Sequence, residues 1–418
     1  MAIGYACLLV GVPGTSVSGC TLKNASEKNI RKLISKNLEA LEEMIDYNNK
    51  NSIKLFRISS DLIPFGSHPI NSVHWWQDYR EQFELLGTKI KKAGIRVSMH
   101  PGQYTVLNSN NHEVVEKAVQ ELIYHARFLD ALGADQTNKL ILHIGGVYGN
   151  KAEAANRFLH EYRRLPEEIR RRLVIENDER CFTIHEVLKI SEECGAPVVF
   201  DNLHHQINPS LTQCTVYDII LLCRATWRNE DGRQKIHYSQ QKEQALPGSH
   251  SDTIFFEPFL EYYQLLRELE PDIMLEVKDK NLSAIKCNNV LLAKTTAKRL
   301  ESEWARYKYY ILSKDARAYQ AIRELLKDKN DFVAREFYSI VEKTSLLPEN
   351  IGAQVNAAQH IWGYFKKDSS VSQKKRYDKL MNSYIKGAST IQPLKNYLLK
   401  GANDRELDYL IQSLYFYL

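Results

Sequence analysis

Short apolar runs punctuate the first two-thirds of the chain at regular intervals. Eight of them, at residues 3–9, 54–58, 95–99, 139–144, 173–176, 197–201, 234–238 and 272–277, have the length and β-rich make-up of buried strands. Between them lie segments of helical length, such as 29–48, 75–92, 114–132 and 153–171. In the first of these, Leu38, Leu41, Ile45 and Asn48 recur along one helix face. Strands that alternate with helices predict a parallel sheet with right-handed crossovers. Eight such units in 280 residues predict a (β/α)8 TIM barrel, a fold of about 250 residues before insertions. An open doubly wound sheet is the rival. That fold opens with a Gly-rich phosphate turn after its first strand, and Gly11-Val12-Pro13-Gly14 is a poor version of one.

Beyond Leu300 the pattern changes. Residues 301–329, 332–343 and 356–365 read as helices, Leu347-Pro348-Glu349-Asn350 punctuates them, and no strand pattern recurs. The expected organisation is a barrel domain at 1–300 and an all-α domain at 301–418. Charge separates the same two parts. The 418 residues hold 56 Lys+Arg and 51 Asp+Glu, a net of +5. Residues 301–418 hold 19 and 14 of these, so residues 1–300 balance at 37 of each. Within the tail, residues 351–400 hold nine basic and two acidic side chains, with Lys366, Lys367, Lys374, Lys375, Arg376 and Lys379 densest. That cluster reads equally as a solvated helix face or as a surface that holds a polyanion. A composition 44% hydrophobic and 26% charged is that of a globular protein. No run approaches the ~20 apolar residues of a membrane span, and residues 1–20 lack the cationic start of a signal peptide. Seven cysteines without a Cys-x-x-Cys pair argue against a disulfide framework or a zinc knuckle. A reduced, cytoplasmic protein without membrane attachment is expected.

In a (β/α)8 barrel the chemistry lies at the C-terminal ends of the strands. Six successive runs end in His100, His143, Glu176, Asp201, His237 and Glu276. One polar residue at a strand end is ordinarily just solvated, and a lone histidine is ordinarily a hydrogen-bonded structural residue. Six on one rim are different, because carboxylates and imidazoles crowded together repel and desolvate one another unless cations intervene. His204, three residues beyond Asp201, and His250 after the seventh run bring the potential ligands to eight, and His68 follows the second run. Eight ligands suit two or three metal ions, and a His/carboxylate set without cysteine suits zinc, manganese or iron. Such a cluster could hydrolyse a phosphodiester, isomerise a sugar or hydrolyse an amide. The remaining histidines, His74, His112, His125, His160, His185, His205 and His360, read as structural.

The motifs that carry these residues resemble the UV damage endonuclease family. They are Arg57-Ile58-Ser59-Ser60-Asp61-Leu62-Ile63-Pro64, Ser67-His68-Pro69, His100-Pro101-Gly102-Gln103, His143-Ile144-Gly145-Gly146 and Glu176-Asn177-Asp178. Phe200-Asp201-Asn202-Leu203-His204-His205, Lys235-Ile236-His237-Tyr238-Ser239 and Glu276-Val277-Lys278-Asp279-Lys280 continue the match, which runs in order from residue 3 to 295. The family is similar in fold to endonuclease IV and the xylose-isomerase-like barrels. The resemblance implies a metal-dependent enzyme that cuts duplex DNA 5′ to cyclobutane dimers and 6-4 photoproducts, with manganese as the usual metal and zinc as an alternative. It implies metal ligands at His68, His100, His143, Glu176, Asp201, His204, His237, His250 and Glu276. Catalytic roles fall on Glu176, Glu276 and Lys235. The lysine would hold a phosphate or be carboxylated, with a plain salt bridge as the alternative. Gln103 and Tyr104 would probe the lesion, and Tyr5 would contact DNA beside it. Leu8 and Leu9 depart from the family, which often has a polar residue there. A monomer acting on UV-damaged DNA in the bacterial cytoplasm is implied. A sugar isomerase and a non-catalytic damage-binding protein are the competing readings. Gly363-Tyr364-Phe365-Lys366 and Pro393-Leu394-Lys395-Asn396-Tyr397 resemble a small helical domain of unknown function.

Overall fold

Each of the eight predicted runs forms a four-residue strand in the computed structural model, which describes residues 1–292, 297–327 and 333–418. The strands are β1 (Ile3–Ala6), β2 (Leu55–Ile58), β3 (Arg96–Met99), β4 (Leu140–His143), β5 (Leu173–Glu176), β6 (Val198–Asp201), β7 (Lys235–Tyr238) and β8 (Asp272–Leu275). All neighbours pair in parallel, β1 also pairs with β8, and the sheet closes in sequence order. A helix follows each strand: α1 (Glu27–Lys50), α2 (Arg80–Ala93), α3 (His112–Ala131), α4 (Lys151–Arg164), α5 (Ile184–Cys194), α6 (Val216–Arg224), α7 (Phe256–Leu265) and α8 (Asn281–Leu291). This is the (β/α)8 fold.

Local chemistry sets the helix ends. Thr183 with Glu186, and Thr215 with Asp218, form capping boxes at the starts of α5 and α6. Gly94 takes a left-handed conformation after α2. Two segments expected as single helices are broken. Tyr79 separates a short turn of helix at Trp75–Asp78 from α2. Pro166 forces Leu165 into an extended conformation, which ends α4.

Alternation along the strands divides side chains between the barrel interior and the layer beneath the helices. Inside, Ala6, Leu55 and Met274 form one apolar cluster, and Ile141, Val174 and Val199 another. Towards the strand beginnings the interior turns ionic. Arg96 meets Asp272 at 3.1 Å and Lys139 meets Asp231 at 2.5 Å. The apolar clusters thus separate two charged layers. Each large aliphatic side chain buried there contributes about 1.5–3 kcal/mol. Gly4 permits the close approach of β1 to β2, since a Cβ there would fall 1.9 Å from the Leu55 carbonyl oxygen.

The chain divides into two compact units. One comprises Met1–Leu9 and Gly14–Cys287, the other Val10–Pro13 and Asn288–Leu418. The division falls inside α8, upstream of the boundary expected near residue 300. Arg306 Nη2 donates to the Val10 carbonyl at 3.1 Å within the second unit. Its described secondary structure is helical, chiefly α9 (Ala297–Leu312), α10 (Ala316–Leu325), α11 (Val333–Ser345), α12 (Ile351–Gly363), α13 (Val371–Ile385) and α14 (Gln392–Asn403). The single helix expected over 301–329 is interrupted after Leu312, where Asp315 caps α10; its last residues, and residue 332 of the next expected helix, lie outside the described residues. The core of the unit includes Trp362, Phe365, Tyr377, Leu394, Leu398 and Tyr415. Trp362 stacks on Tyr377 with ring centroids 4.3 Å apart. None of the seven cysteines forms a disulfide, and no described helix is long and apolar enough to cross a membrane.

Candidate active site

The strand order carries the six predicted end residues to one rim. Paired strands set His143 beside Glu176, and Asp201 beside His237. The rim opens into a cavity of about 460 Å³ lined by His100, His143, His204, His250 and Glu276 among others. Asparagine side chains extend the ladder past the last backbone pairs. Asn177 Oδ1 accepts from Asp201 N at 2.9 Å, and Asn177 Nδ2 donates to Asp201 O at 3.1 Å. Asn202 repeats the arrangement with Ser239, at 2.7 and 2.9 Å. These bridges hold the ends of β5, β6 and β7 in register where the reactive side chains begin. Gly145, at φ +111°, leaves room for Asn108, whose Oδ1 would lie 2.3 Å from any Cβ.

Each donor is aimed by a local contact. Asp201 caps the short helix Asn202–Ile207, and its Oδ1 accepts from His204 N at 2.8 Å. His204 Nδ1 donates to the Asn177 carbonyl at 2.9 Å, and His100 Nδ1 donates to the Pro101 carbonyl at 3.0 Å. Both rings therefore keep Nε2 as the atom able to accept, the arrangement that orients histidine ligands of metals. His100 Nε2 is 3.1 Å from Glu176 Oε2, and His237 Nδ1 is 2.6 Å from Glu176 Oε1 and 3.3 Å from Glu276 Oε1. His250 Nε2 lies 3.8 Å from Glu276 Oε2.

Three overlapping groups emerge, each with its donor atoms within 4.8 Å of one another: His100–His143–Glu176, Glu176–Asp201–His204 and Asp201–His237–Glu276. Glu176 belongs to two of them and Asp201 to two, the positions that bridging ligands occupy. Metal binding is tested by the atoms left over. His143 Nδ1, Asp201 Oδ2 and His237 Nε2 are buried without a hydrogen-bond partner. Buried polar atoms are nearly always partnered, so three orphans in one cluster fit cations supplied from outside the chain.

The electrostatics agree. Burial opposes ionisation of Glu176, yet His237, His143 and His100 hold it well below the usual carboxylate range. Burial likewise opposes ionisation of Glu276, and Arg57, His237 and His250 overcome it. Asp201 goes the other way: burial, with Glu176 and Glu276 nearby, raises it. Burial lowers His100 to about 4. His204 is raised to about 9, because Asp201, Glu176 and Glu276 outweigh its burial.

Other expected residues fall differently. His68 is exposed, its Nδ1 accepts from Ile70 N at 3.1 Å, and it joins none of the three groups. Tyr104 is 83% exposed, and Gln103 beside it lines the cavity. Lys235 is fully buried, and its Nζ makes no hydrogen bond; burial, then Arg96, drives its pKa well below the ordinary lysine value. It shares the interior face of β7 with His237 but lies one layer deeper. The expected DNA contact by Tyr5 is corrected. Its ring is fully buried against Phe56, and its hydroxyl donates to Asn48 Oδ1 on α1 at 2.7 Å. The strand ends at Ala6, so alternation turns Tyr5 outward beneath the helix.

Sequence reasoning assigned no role to Arg57, which forms an ion pair with Glu276 across the barrel mouth. A charged residue inside a four-residue apolar strand was the available signal. It also passed over Asn177 and Asn202, whose bonds depend on strand neighbours distant in sequence. Of the histidines read as structural, His125 is fully buried, with Nδ1 on the Glu121 carbonyl at 2.7 Å and Nε2 2.8 Å from Ser60 Oγ.

A closed parallel barrel with imidazoles and carboxylates converging at the strand ends defines an enzyme-type (β/α)8 protein. The particular family follows from sequence: the chain belongs to the UV-endonuclease UvdE family, whose sequence model matches residues 5–302. It is 42% identical to the UV DNA damage endonuclease of Clostridium perfringens, over 84% of this chain and 85% of that protein. It is 30% identical to the UV DNA damage endonuclease of Bacillus cereus strain Q1, over 67% of this chain and 88% of that one. The crystal structure of SacUVDE matches 70% of this chain and 98% of its own with a TM-score of 0.66 and 41% identity. Residues 308–418 match a second family, described as a protein of unknown function, DUF1722.

Proposed function

We propose that the protein is a UV DNA damage endonuclease that hydrolyses the phosphodiester immediately 5′ to a UV photoproduct in duplex DNA, which opens excision repair. The observation that carries this reading is the set of three donor groups joined through Glu176 and Asp201, with orphaned atoms on His143, Asp201 and His237. Membership of the UvdE family supports the substrate. Two or three divalent cations, manganese first and zinc second, suit these donors. His100, His143, Glu176, Asp201, His204, His237, His250 and Glu276 would hold them, and exposed His68 would have to turn inward to join. Bound there, such ions polarise a phosphate and acidify water.

The chain's own residues prepare the site. Glu176 and Glu276 stay ionised at neutral pH, since imidazoles and Arg57 outweigh their burial. Arg57 holds Glu276 in place, and the Asn177 and Pro101 carbonyls fix the His204 and His100 rings. Such orientation is worth 10–100-fold in metal sites generally. Exposed Tyr104, with Gln103, offers an aromatic face and an amide to a disrupted base step. Lys235 acts from beneath the site, and a carboxylated Nζ would relieve its unpartnered burial. The helical unit, 301–418 in the sequence-based division, holds DNA through its cationic helices.

The test is incision of end-labelled duplex, irradiated and unirradiated, by purified protein with Mn²⁺. Nicking confined to irradiated DNA is expected. Equal nicking of both duplexes, or none of either, overturns the proposal, and binding without nicking assigns the barrel a damage-binding role instead.

A further inference from the structure

The helical unit contains its own cleft. A cavity of about 340 Å³ opens between α12, α13 and α14 and the turns that follow them. Three aromatic rings line it (Trp362, Phe365 and Tyr397), and so do three cations (Arg376, Lys400 and Arg405). Aromatic and cationic groups around one concavity are the combination that binds unpaired nucleotides, with the base against the rings and the phosphate on the charges.

Most of the charges here are uncommitted. Residues 366–405 hold ten Lys+Arg and three Asp. Among the described residues, none of those ten pairs with an acidic side chain; Lys395 alone is buried, its Nζ donating to Leu418 O at 2.9 Å, and the pairs Arg306–Glu303 and Lys327–Glu324 lie outside the segment. A lysine-rich helix face in water would need no explanation, and it would not need a cleft. Arg405 is the more telling residue. Its guanidinium lies 5.0 Å from the Phe365 ring centroid and donates to the Gly401 carbonyl at 3.1 Å and to Ser369 Oγ at 3.4 Å. It is thus held in position by neutral partners while its full charge and further donors remain available. Tyr397 is fixed as well, since its hydroxyl donates to the Gln373 carbonyl at 2.9 Å and ties α14 to α13. Gly401 lets α14 close on Phe365, where a Cβ would come within 2.9 Å of the ring. Asp404 is the one acid on the wall. A carboxylate there accepts from the N–H groups of a base and disfavours a free dianion against a singly charged phosphodiester.

We propose that this cleft is a nucleotide-binding site that seats one unpaired nucleotide of a DNA strand, with its phosphodiester on Arg376, Lys400 and Arg405 and its base against Tyr397. The inference rests on the reading that the helical unit holds DNA, and gives that reading a specific site.

The experiment uses the full-length protein without added metal. Anisotropy titrations measure binding of undamaged (dT)10 and of an abasic-linker strand with the same number of phosphates. Arg376 and Lys400 are both exposed, so R376Q/K400Q leaves the fold intact, which a melting curve checks. This variant is expected to weaken (dT)10 binding about tenfold at 0.15 M salt and to reduce the salt slope by about 1.4, the share of two phosphate contacts on a single strand. Tyr397→Leu is expected to remove the preference for (dT)10 over the abasic strand while the slope stays. A third variant, K374Q/K375Q/K379Q, neutralises cations outside the cleft. If it weakens binding and R376Q/K400Q does not, the cleft is overturned and the DNA-holding reading stands. If neither variant changes affinity or salt slope, the DNA-holding reading fails and takes the cleft with it. Equal affinity of wild-type protein for the two strands overturns the base-binding half of the proposal.

Discussion

The two units treat charge in opposite ways. In the barrel, acids and bases are equal in number, and several are taken inside in contact with each other: Arg57 with Glu276, Arg96 with Asp272, Lys139 with Asp231. In the helical unit the segment 366–405 carries a surplus of cations, exposed or partly so except for buried Lys395 and without acidic side-chain partners among the described residues. Burying a charge costs several kcal/mol unless a partner is placed with good geometry, so a buried charge is a positioned charge. An exposed lysine is screened within about 8 Å at physiological salt and exerts its effect only by number. The contrast separates chemistry, which needs fixed atoms, from retention on a polyanion, which needs only local excess charge.

That division can be broken most directly at Glu176. Glu176→Gln keeps the shape and removes the charge shared by two donor groups. Incision is expected to fall by about 10²–10³-fold, the scale of losing one transition-state stabiliser, while damaged duplex still binds in a gel-shift assay. Undiminished incision would place the chemistry elsewhere. A second probe is Arg57→Ala, which frees Glu276 without touching a donor atom. A loss of about 10–100-fold in incision or in metal affinity is expected, partly restored by Arg57→Lys. An unchanged rate with altered melting alone would make Arg57 merely structural.

Titration sharpens the contrast from another side. In metal-stripped protein, His204 has a folded pKa of about 9, above its ordinary 6.5. Its contribution is therefore fully present below pH 6.5 and lost as pH rises through 9, by about 3 kcal/mol at most. His100, at about 4, is held neutral by burial, so its cost appears as pH falls from 6.5 towards 4. Melting of the stripped protein is expected to peak near pH 6.5, and added Mn²⁺ should flatten the alkaline limb. A profile that is flat before the metal is added would contradict the rim electrostatics.

The smallest expected effect lies in the helical unit. Exchanging Lys366, Lys367, Lys374, Lys375 and Lys379 for glutamine should weaken binding about tenfold at 0.15 M salt and flatten its salt dependence. The rate at saturating DNA should stay unchanged. A lower saturated rate would mean that this surface takes part in the chemistry.

Much of the barrel is legible in the sequence. The strand periods marked all eight strands to within a few residues, because runs buried on both faces stay apolar whatever their neighbours. The rim residues were legible for a related reason, since a parallel barrel collects whatever follows each strand at one end. Legibility failed where one residue of register decides a face, as at Tyr5, and where a proline or a capping aspartate cut a helix, as at Pro166 and Asp315. In the tail, α13 and α14 escaped the pattern because their faces are largely polar, and these are the helices that flank the cleft.

The sequence by itself determined that eight βα units would close, that histidines and carboxylates would meet at the rim, and that excess positive charge would lie in the tail. Those outcomes depend on local periodicity and on composition. Only the tertiary structure decided that Arg57 reaches Glu276, 219 positions away, and that Asn177 and Asn202 extend the sheet. It also decided that Tyr5 packs beneath α1 rather than at the barrel mouth and that Arg405 is poised over Phe365. These outcomes depend on which distant segments become neighbours, and a hydrogen bond or ion pair gains its energy only once geometry brings both partners within about 3 Å.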